Sequence, residues 1–200
     1  MYRLNNKKLI CGVDEAGRGS LAGDVYAAAV ILPDSYALPG LDDSKKINAH
    51  SRETLYDMII NEAVAYAVAS ASVAEINALN ILNATILAMN RALKSLNPQA
   101  DFALIDGNIN AGITIPSRSI VRGDTVSPMI SAASILAKVE RDRYMQRLSE
   151  QYPLYAFDKH KGYGVKLHYE RIAIHGVSPE HRSAFLRKPG GKNAYVRNGG

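Results

Sequence analysis

The sequence predicts an α/β domain that carries a basic, helical C-terminal extension. Three observations predict it. Runs rich in β-formers come early, and segments with helical spacing surround them. Positive charge gathers at the end: residues 159–200 hold nine Lys/Arg against two Asp/Glu, whereas residues 1–158 hold fifteen against seventeen. His160, His168, His175 and His181 lie in that last segment too. Such a charge split suits either a polyanion binder or a solvated tail. Residues 189–200, rich in Gly and Asn, are expected to be a flexible tail.

The elements follow in order. Lys8–Val13 reads as a short strand, and Val25–Leu32 as a second, stopped by Pro33. Leu55, Met58, Ile59, Ala63 and Tyr66 have helical spacing, although residues 63–70 (AVAYAVAS) suit a strand equally well. Ser72 and Glu75 have capping-box spacing, and the helix after them is expected to bury Leu82, Ile86, Met89 and Leu93 and to stop at Asn97-Pro98. Phe102–Ile105 reads as a buried strand; Ile113–Ile115 and Ser119–Val121 are short strand candidates. Ser127-Pro128 opens a helix with Ser as N-cap, and Ala132, Ile135, Leu136 and Val139 mark its buried face.

Composition excludes several classes. With 47% hydrophobic and 22% charged residues, a 200-residue chain has enough apolar material for one core and is not a disordered chain. The longest apolar run, Val25–Leu32, is too short for a membrane span. A single cysteine, Cys11, excludes an internal disulfide framework and a Cys-based zinc site. No signal peptide is expected, so a cytoplasmic protein with no membrane contact is the simplest reading.

Acidic residues punctuate the expected strand ends: Asp14-Glu15 after the first, Asp106 after Phe102–Ile105, and Asp124 beyond Ser119–Val121. In open α/β sheets ligands bind at such ends. Each acid alone suits a turn or cap; four converging acids would repel one another and call for a counter-charge. All-oxygen ligation points to Mg²⁺ or Mn²⁺. The stretch Gly17-Arg18-Gly19-Ser20-Leu21-Ala22 fits a dinucleotide fingerprint, with Asp34 as ribose acid. Asp14 and Glu15 would crowd its pyrophosphate, so close backbone approach to a nucleic-acid strand, with Arg18 near a phosphate, is the better reading.

Seven strings carry a resemblance: CGVDEAGRGSLAG (11–23), DDSKKI (42–47), LNILNATILAM (79–89), LIDGN (104–108), GDTVSPMISAASILAKVERDR (123–143), FDKHKGYGV (157–165) and HGVSPEHRSAF (175–185). In order and in content they resemble bacterial ribonuclease HII. The resemblance implies a ribonuclease H-like fold: a mixed five-stranded sheet flanked by helices, with residues 63–70 as its third strand. It implies a catalytic core at 1–158 and a helical, substrate-contacting part at 159–188. It implies an endoribonuclease that cleaves the RNA strand of RNA/DNA hybrids and cuts 5′ of ribonucleotides embedded in duplex DNA; a monomer is expected. The ends left are 3′-hydroxyl and 5′-phosphate, and the cofactor is Mn²⁺ or Mg²⁺.

Carried over by position, Asp14, Glu15, Asp106 and Asp124 are similar to the family's catalytic, metal-binding acids. Gly17, Arg18 and Gly19 resemble its 2′-hydroxyl-sensing loop, and Tyr163 the ring that stacks on the next deoxyribose. Ser44, Lys45 and Lys46 fall where the family meets phosphates. Ser131–Ser134 would begin a helix beside the site, with Lys138 on its approach. The chain departs from the family at Ser20 and Asp24, where proline is usual or frequent, and at Val165, where threonine is usual. A junction resolvase on the same fold, or a hybrid-binding protein without catalysis, are the rival readings.

Overall fold

Five strands form one mixed sheet in the order β3-β2-β1-β4-β5. A computed structural model describes residues 8–41, 48–109 and 111–186. The strands are β1 (Ile10–Ala16), β2 (Val25–Ile31), β3 (Ala65–Ala71), β4 (Phe102–Asp106) and β5 (Ser117–Ile120). The helices are α1 (Ala49–Glu62), α2 (Val73–Leu79), α3 (Ile81–Ser95), α4 (Pro128–Gln151), α5 (Phe157–His160) and α6 (Lys166–His175). β1, β2 and β3 pair antiparallel, while β4 and β5 continue the sheet parallel to β1. No helix among the described residues is long and apolar enough to cross a membrane.

Period-two alternation divides the core. On β2, Val25, Ala27, Ala29 and Ile31 pack with α3, whereas Ala28 and Val30 pack with α1 and α4. Alanines on both faces let helices approach from both sides. On β1, Cys11 and Val13 join the α3 side, and Gly12 sits against α4. A β-carbon at Gly12 would overlap the Met129–Ile130 backbone, so glycine there is what lets α4 approach the central strand.

Several expectations need correction. β1 does not stop at Val13: its ladder with β2 runs on to Ala16, so Asp14 and Glu15 lie within the strand. Residues 65–71 form β3, and α1 ends at Glu62, which leaves Ala63 and Tyr66 outside it. The capping box of Ser72 and Glu75 is present, but the helix after it breaks at Asn80, whose φ is +70°. Past that break α3 buries Ala84, Thr85, Ala88, Met89, Ala92 and Leu93, and leaves Leu82 exposed. Its close packing on alanine-rich β2 selects a small-residue stripe over the leucine stripe. Ile113–Ile115 is not a strand; β5 begins at Ser117 and is polar, as suits an edge. Ser127 occupies the N-cap of α4 without a side-chain cap bond, while Pro128 and the buried face of α4 are as expected. Residues 17–24 lead into strand β2 rather than a helix, which removes the dinucleotide reading.

Candidate active site

The parallel pairing of β1 with β4 ends at Val13 opposite Ile105. Asp14 and Asp106 are the next residues on each strand. Both fall on the α4 side by alternation, at the carboxyl ends of adjacent central strands. β1 stays zipped to β2 beyond this point, which fixes Asp14 where β4 diverges.

Asp14 is 6% exposed, and its Oδ1 accepts the Glu15 N–H at 2.7 Å. Burial, then the Glu15 and Asp106 charges, hold its carboxyl well above the usual carboxylate range; the Ser134 hydroxyl on α4 opposes the shift. Burial raises Glu15 as well, against the Arg18 guanidinium, whose Nη1 lies 3.1 Å from Glu15 Oε1. Glu15 Oε2 is buried with no hydrogen-bond partner among the described residues. Asp124, 6% exposed, lies on the 3₁₀ turn Gly123–Thr125, and its N–H donates to Asp106 Oδ1 at 3.2 Å.

The structure therefore links Asp14 to Glu15 and Asp106 to Asp124, with the two pairs electrostatically in contact. No three His, Cys, Asp or Glu side chains among the described residues already form a ligand set for one ion. The acids nevertheless fit a hard cation. They offer oxygen only, one carboxylate oxygen is buried without a partner among the described residues, and burial, then the neighbouring Glu15 and Asp106 charges, raise the Asp14 carboxyl, which a counter-charge would relieve. Cys11 is buried on the opposite, α3 face of β1, and desolvation pushes its thiol up to about 12.

Two buried arginines, not singled out from the sequence, hold the glycine loop. Arg182 Nη1 donates to the carbonyls of Gly17 (2.8 Å), Arg18 (3.1 Å) and Ser20 (2.9 Å), and its Nε to that of Gly23 (2.8 Å). Arg141 on α4 donates from Nε to the Asp24 carbonyl (3.1 Å), from Nη2 to that of Ala22 (3.3 Å) and from Nη1 to that of Lys161 (3.0 Å). Arg141 also lies over the Tyr163 ring, 5.5 Å from its centroid, with Lys138 Nζ at 6.0 Å. The glycine loop and the tyrosine loop are thus joined through one guanidinium. Backbone pairing adds Leu21 N–H to the Gly162 carbonyl (2.8 Å) and Gly23 N–H to that of Glu180 (2.9 Å). The only sequence signal for either arginine was its place inside a matched string.

Tyr163 is 37% exposed. Arg18 is half-exposed, and Gly19 has open space where a β-carbon would stand. Ser131 donates to the Leu41 carbonyl at 2.8 Å, which ties the start of α4 to the segment that follows β2. Ser44, Lys45 and Lys46 lie outside the described residues, as do residues 189–200. Asp24, where proline is frequent in the resembled family, accepts the Val73 N–H at 3.1 Å and braces the loop against α2.

Comparison with known proteins agrees with this geometry. The family model for ribonuclease HII matches residues 11–188. The chain belongs to the ribonuclease HII family. It is accordingly a ribonuclease H hydrolase, acting on RNA/DNA hybrids. The ribonuclease HII of Burkholderia pseudomallei (strain 668) is 53% identical over 178 residues, covering 89% of this chain and 83% of that protein. Among solved structures, ribonuclease H2 from Pyrococcus horikoshii OT3 superposes with a TM-score of 0.74 at 24% identity, covering 88% of this chain and 92% of that one. Bst ribonuclease HIII in complex with Mn²⁺ superposes at 0.64 with 18% identity, covering 84% and 63%. These two support the fold.

Proposed function

We propose that the chain cuts on the 5′ side of ribonucleotides embedded in duplex DNA as well as within longer RNA/DNA hybrids, leaving 3′-hydroxyl and 5′-phosphate ends. The observation that carries this is the placing of Asp14 and Asp106 side by side at the strand ends, next to a loop whose carbonyls are turned inward. Asp14 and Asp106 would hold two divalent ions, Mg²⁺ or Mn²⁺, with Glu15 and Asp124 each completing one set. Bound there, such ions supply hydroxide for in-line attack on phosphorus and neutralise the departing 3′-oxygen. No side-chain nucleophile is required of the protein.

The chain's own residues orient the substrate. With the carbonyls of Gly17, Arg18 and Ser20 given to Arg182 and the Ser20 N–H to the Gly17 carbonyl, what the loop offers a 2′-hydroxyl is the Arg18 and Gly19 N–H groups and the Gly19 carbonyl. The 2′-hydroxyl is the group that separates ribose from deoxyribose, so its reader must come close. Tyr163 presents a half-exposed ring for the following deoxyribose, where a second 2′-hydroxyl would crowd it. Arg18, now on Glu15, is within reach of a phosphate near the acids. Residues 159–188 act in this reading as the substrate-contacting part of a core spanning 1–158.

The test is cleavage of duplex DNA containing one ribonucleotide, with Mg²⁺ or Mn²⁺, beside the all-DNA duplex, a long hybrid and a four-way junction. A single cut 5′ of the ribonucleotide and none in the all-DNA duplex is the expected result. Cutting of the four-way junction without a ribonucleotide would favour the resolvase reading. Tight hybrid binding with no cleavage under any metal would favour a binding protein.

A further inference from the structure

The C-terminal segment holds a buried chain of histidines that the proposed chemistry does not use. His160, His168 and His181 are 7%, 0% and 5% exposed. Their hydrogen bonds fix every proton. The Gly162 N–H donates to His160 Nδ1 at 3.2 Å, so His160 carries its proton on Nε2 and gives it to the Tyr155 carbonyl at 2.9 Å. The Ser178 N–H donates to His181 Nδ1 at 2.9 Å, which leaves the His181 proton on Nε2. That proton faces His168 Nε2 at 3.1 Å, so His168 Nε2 accepts. The His168 proton then sits on Nδ1, where the Tyr163 carbonyl accepts it at 3.0 Å. Any other neutral assignment sets two N–H groups, or two lone pairs, face to face.

We infer that His168 is a positioning residue for Tyr163: its Nδ1–H holds the Tyr163 peptide, and Ser178 with His181 holds His168 in the tautomer that can do so. The inference rests on the reading of Tyr163 as the residue that senses the RNA–DNA junction. A second observation places unusual weight on this bond. Val165, the N-cap of α6, makes no side-chain cap bond, and the other bonds to Tyr163 are local ones of the same short segment, its N–H to the His160 carbonyl and the Val165 N–H to its carbonyl, both 2.9 Å. His160, stacked on His168 at 4.1 Å between ring centres, and Phe157, edge-on at 5.6 Å, leave the His168 ring little room to turn. Burial pushes His168 and His181 down to about 4, which keeps the relay neutral near neutral pH.

Two substitutions divide the roles of His168. In His168→Asn the amide nitrogen falls near the position of Nδ1 and can still donate to the Tyr163 carbonyl. In His168→Gln the amide reaches the position of Nε2, keeps the bond to His181 and drops the one to Tyr163. The readout is the ratio of cleavage at a single embedded ribonucleotide to cleavage of a long hybrid, with Mg²⁺, in the full chain. His168→Gln should lower that ratio about tenfold, the worth of one well-placed hydrogen bond, while His168→Asn should hold it within about twofold. Equal falls in both variants, or none in either, would make His168 a packing residue and overturn the inference. Tyr163→Ala, run beside them, separates the two claims. A ratio unmoved by Tyr163→Ala overturns the junction reading and the inference with it, whereas a fall for Tyr163→Ala but not for His168→Gln overturns the inference alone. Should the variants fail to fold, imidazole nitrogen NMR on the unaltered protein decides: a proton on His168 Nδ1 near neutral pH supports it, and one on Nε2 overturns it.

Discussion

Gly17 and Arg141 stand so close that a β-carbon on the glycine would overlap the guanidinium and its Nε. Gly17 also has a φ of +94°, where side chains are strained. Gly19, two residues on, has neither restriction. Gly17→Ala should therefore lower folding stability by about 2 kcal/mol or more, through strain and displacement of a buried arginine. Gly19→Ala should leave stability within about 0.5 kcal/mol yet cut cleavage at ribonucleotides, because its methyl group would enter the open space where we propose the ribose is read. Chemical denaturation and kinetics on the two variants check both halves.

Asp106→Asn retains an oxygen able to accept the Asp124 N–H, so the 3₁₀ turn should keep its place. What it loses is charge. Cleavage should fall about a thousandfold or more while hybrid binding survives, since charge stabilisation by a bound metal is worth several kcal/mol. Near-normal turnover of Asp106→Asn with Mg²⁺ would remove Asp106 from the metal-binding set.

Adding Mg²⁺ or Mn²⁺ should raise the melting temperature, because a ligand that binds only the folded state stabilises it by mass action. The physical source is a counter-charge for the buried Asp14 carboxyl and its acidic neighbours Glu15 and Asp106. The shift should shrink in Asp14→Asn. Equal shifts in the two proteins, read by calorimetry, would place the metal elsewhere.

Val165 has the extended backbone of an N-cap, with φ −102° and ψ 164°, but no side-chain oxygen. Val165→Thr should supply one to the exposed amides at the start of α6 and stabilise the fold by about 1 kcal/mol. Unchanged or lowered stability on denaturation would mean that the valine methyls contribute more than the cap.

His168 and His181 titrate at about 4 in the folded protein, whereas an unperturbed histidine titrates at about 6.5. Between those values the unfolded chain takes up protons that the folded one refuses, so their contribution lowers stability as pH falls. Asp14 acts with the opposite sign, because its raised pKa lets the folded state keep a proton that the unfolded state has lost. Comparing wild type with His168→Asn isolates the histidine part. The wild-type advantage should narrow from neutral pH to about pH 5, read as the difference in urea midpoints. A constant difference would show that His168 is not held neutral by the fold.

The acids were legible in the sequence because strand ends are cheap to recognise: an apolar run stops and a carboxylate follows. What the sequence could not convey was that β1 continues through Asp14 and Glu15, since that extension comes from the ladder with β2 and not from local propensity. Leu82 misled for a related reason. Its spacing marks a helix face, but close packing on Ala27 and Ala29 favours Ala84 and Ala88 at the contact. Arg141 and Arg182 were invisible in kind, because a charged side chain gives no sign in sequence that it will be buried against carbonyls. Their partners lie more than a hundred residues away for the most part.

The bond from Arg182 to the Gly17 carbonyl spans 165 residues of chain. During synthesis this loop emerges well before the guanidinium that gathers its carbonyls. Until then the carbonyls of Arg18, Ser20 and Gly23 lack this donor, and the loop beside the acids lacks its final clamp. Contacts this distant form late and slow folding. A nascent chain stalled short of residue 182 would thus hold all four acids and still lack an ordered recognition loop.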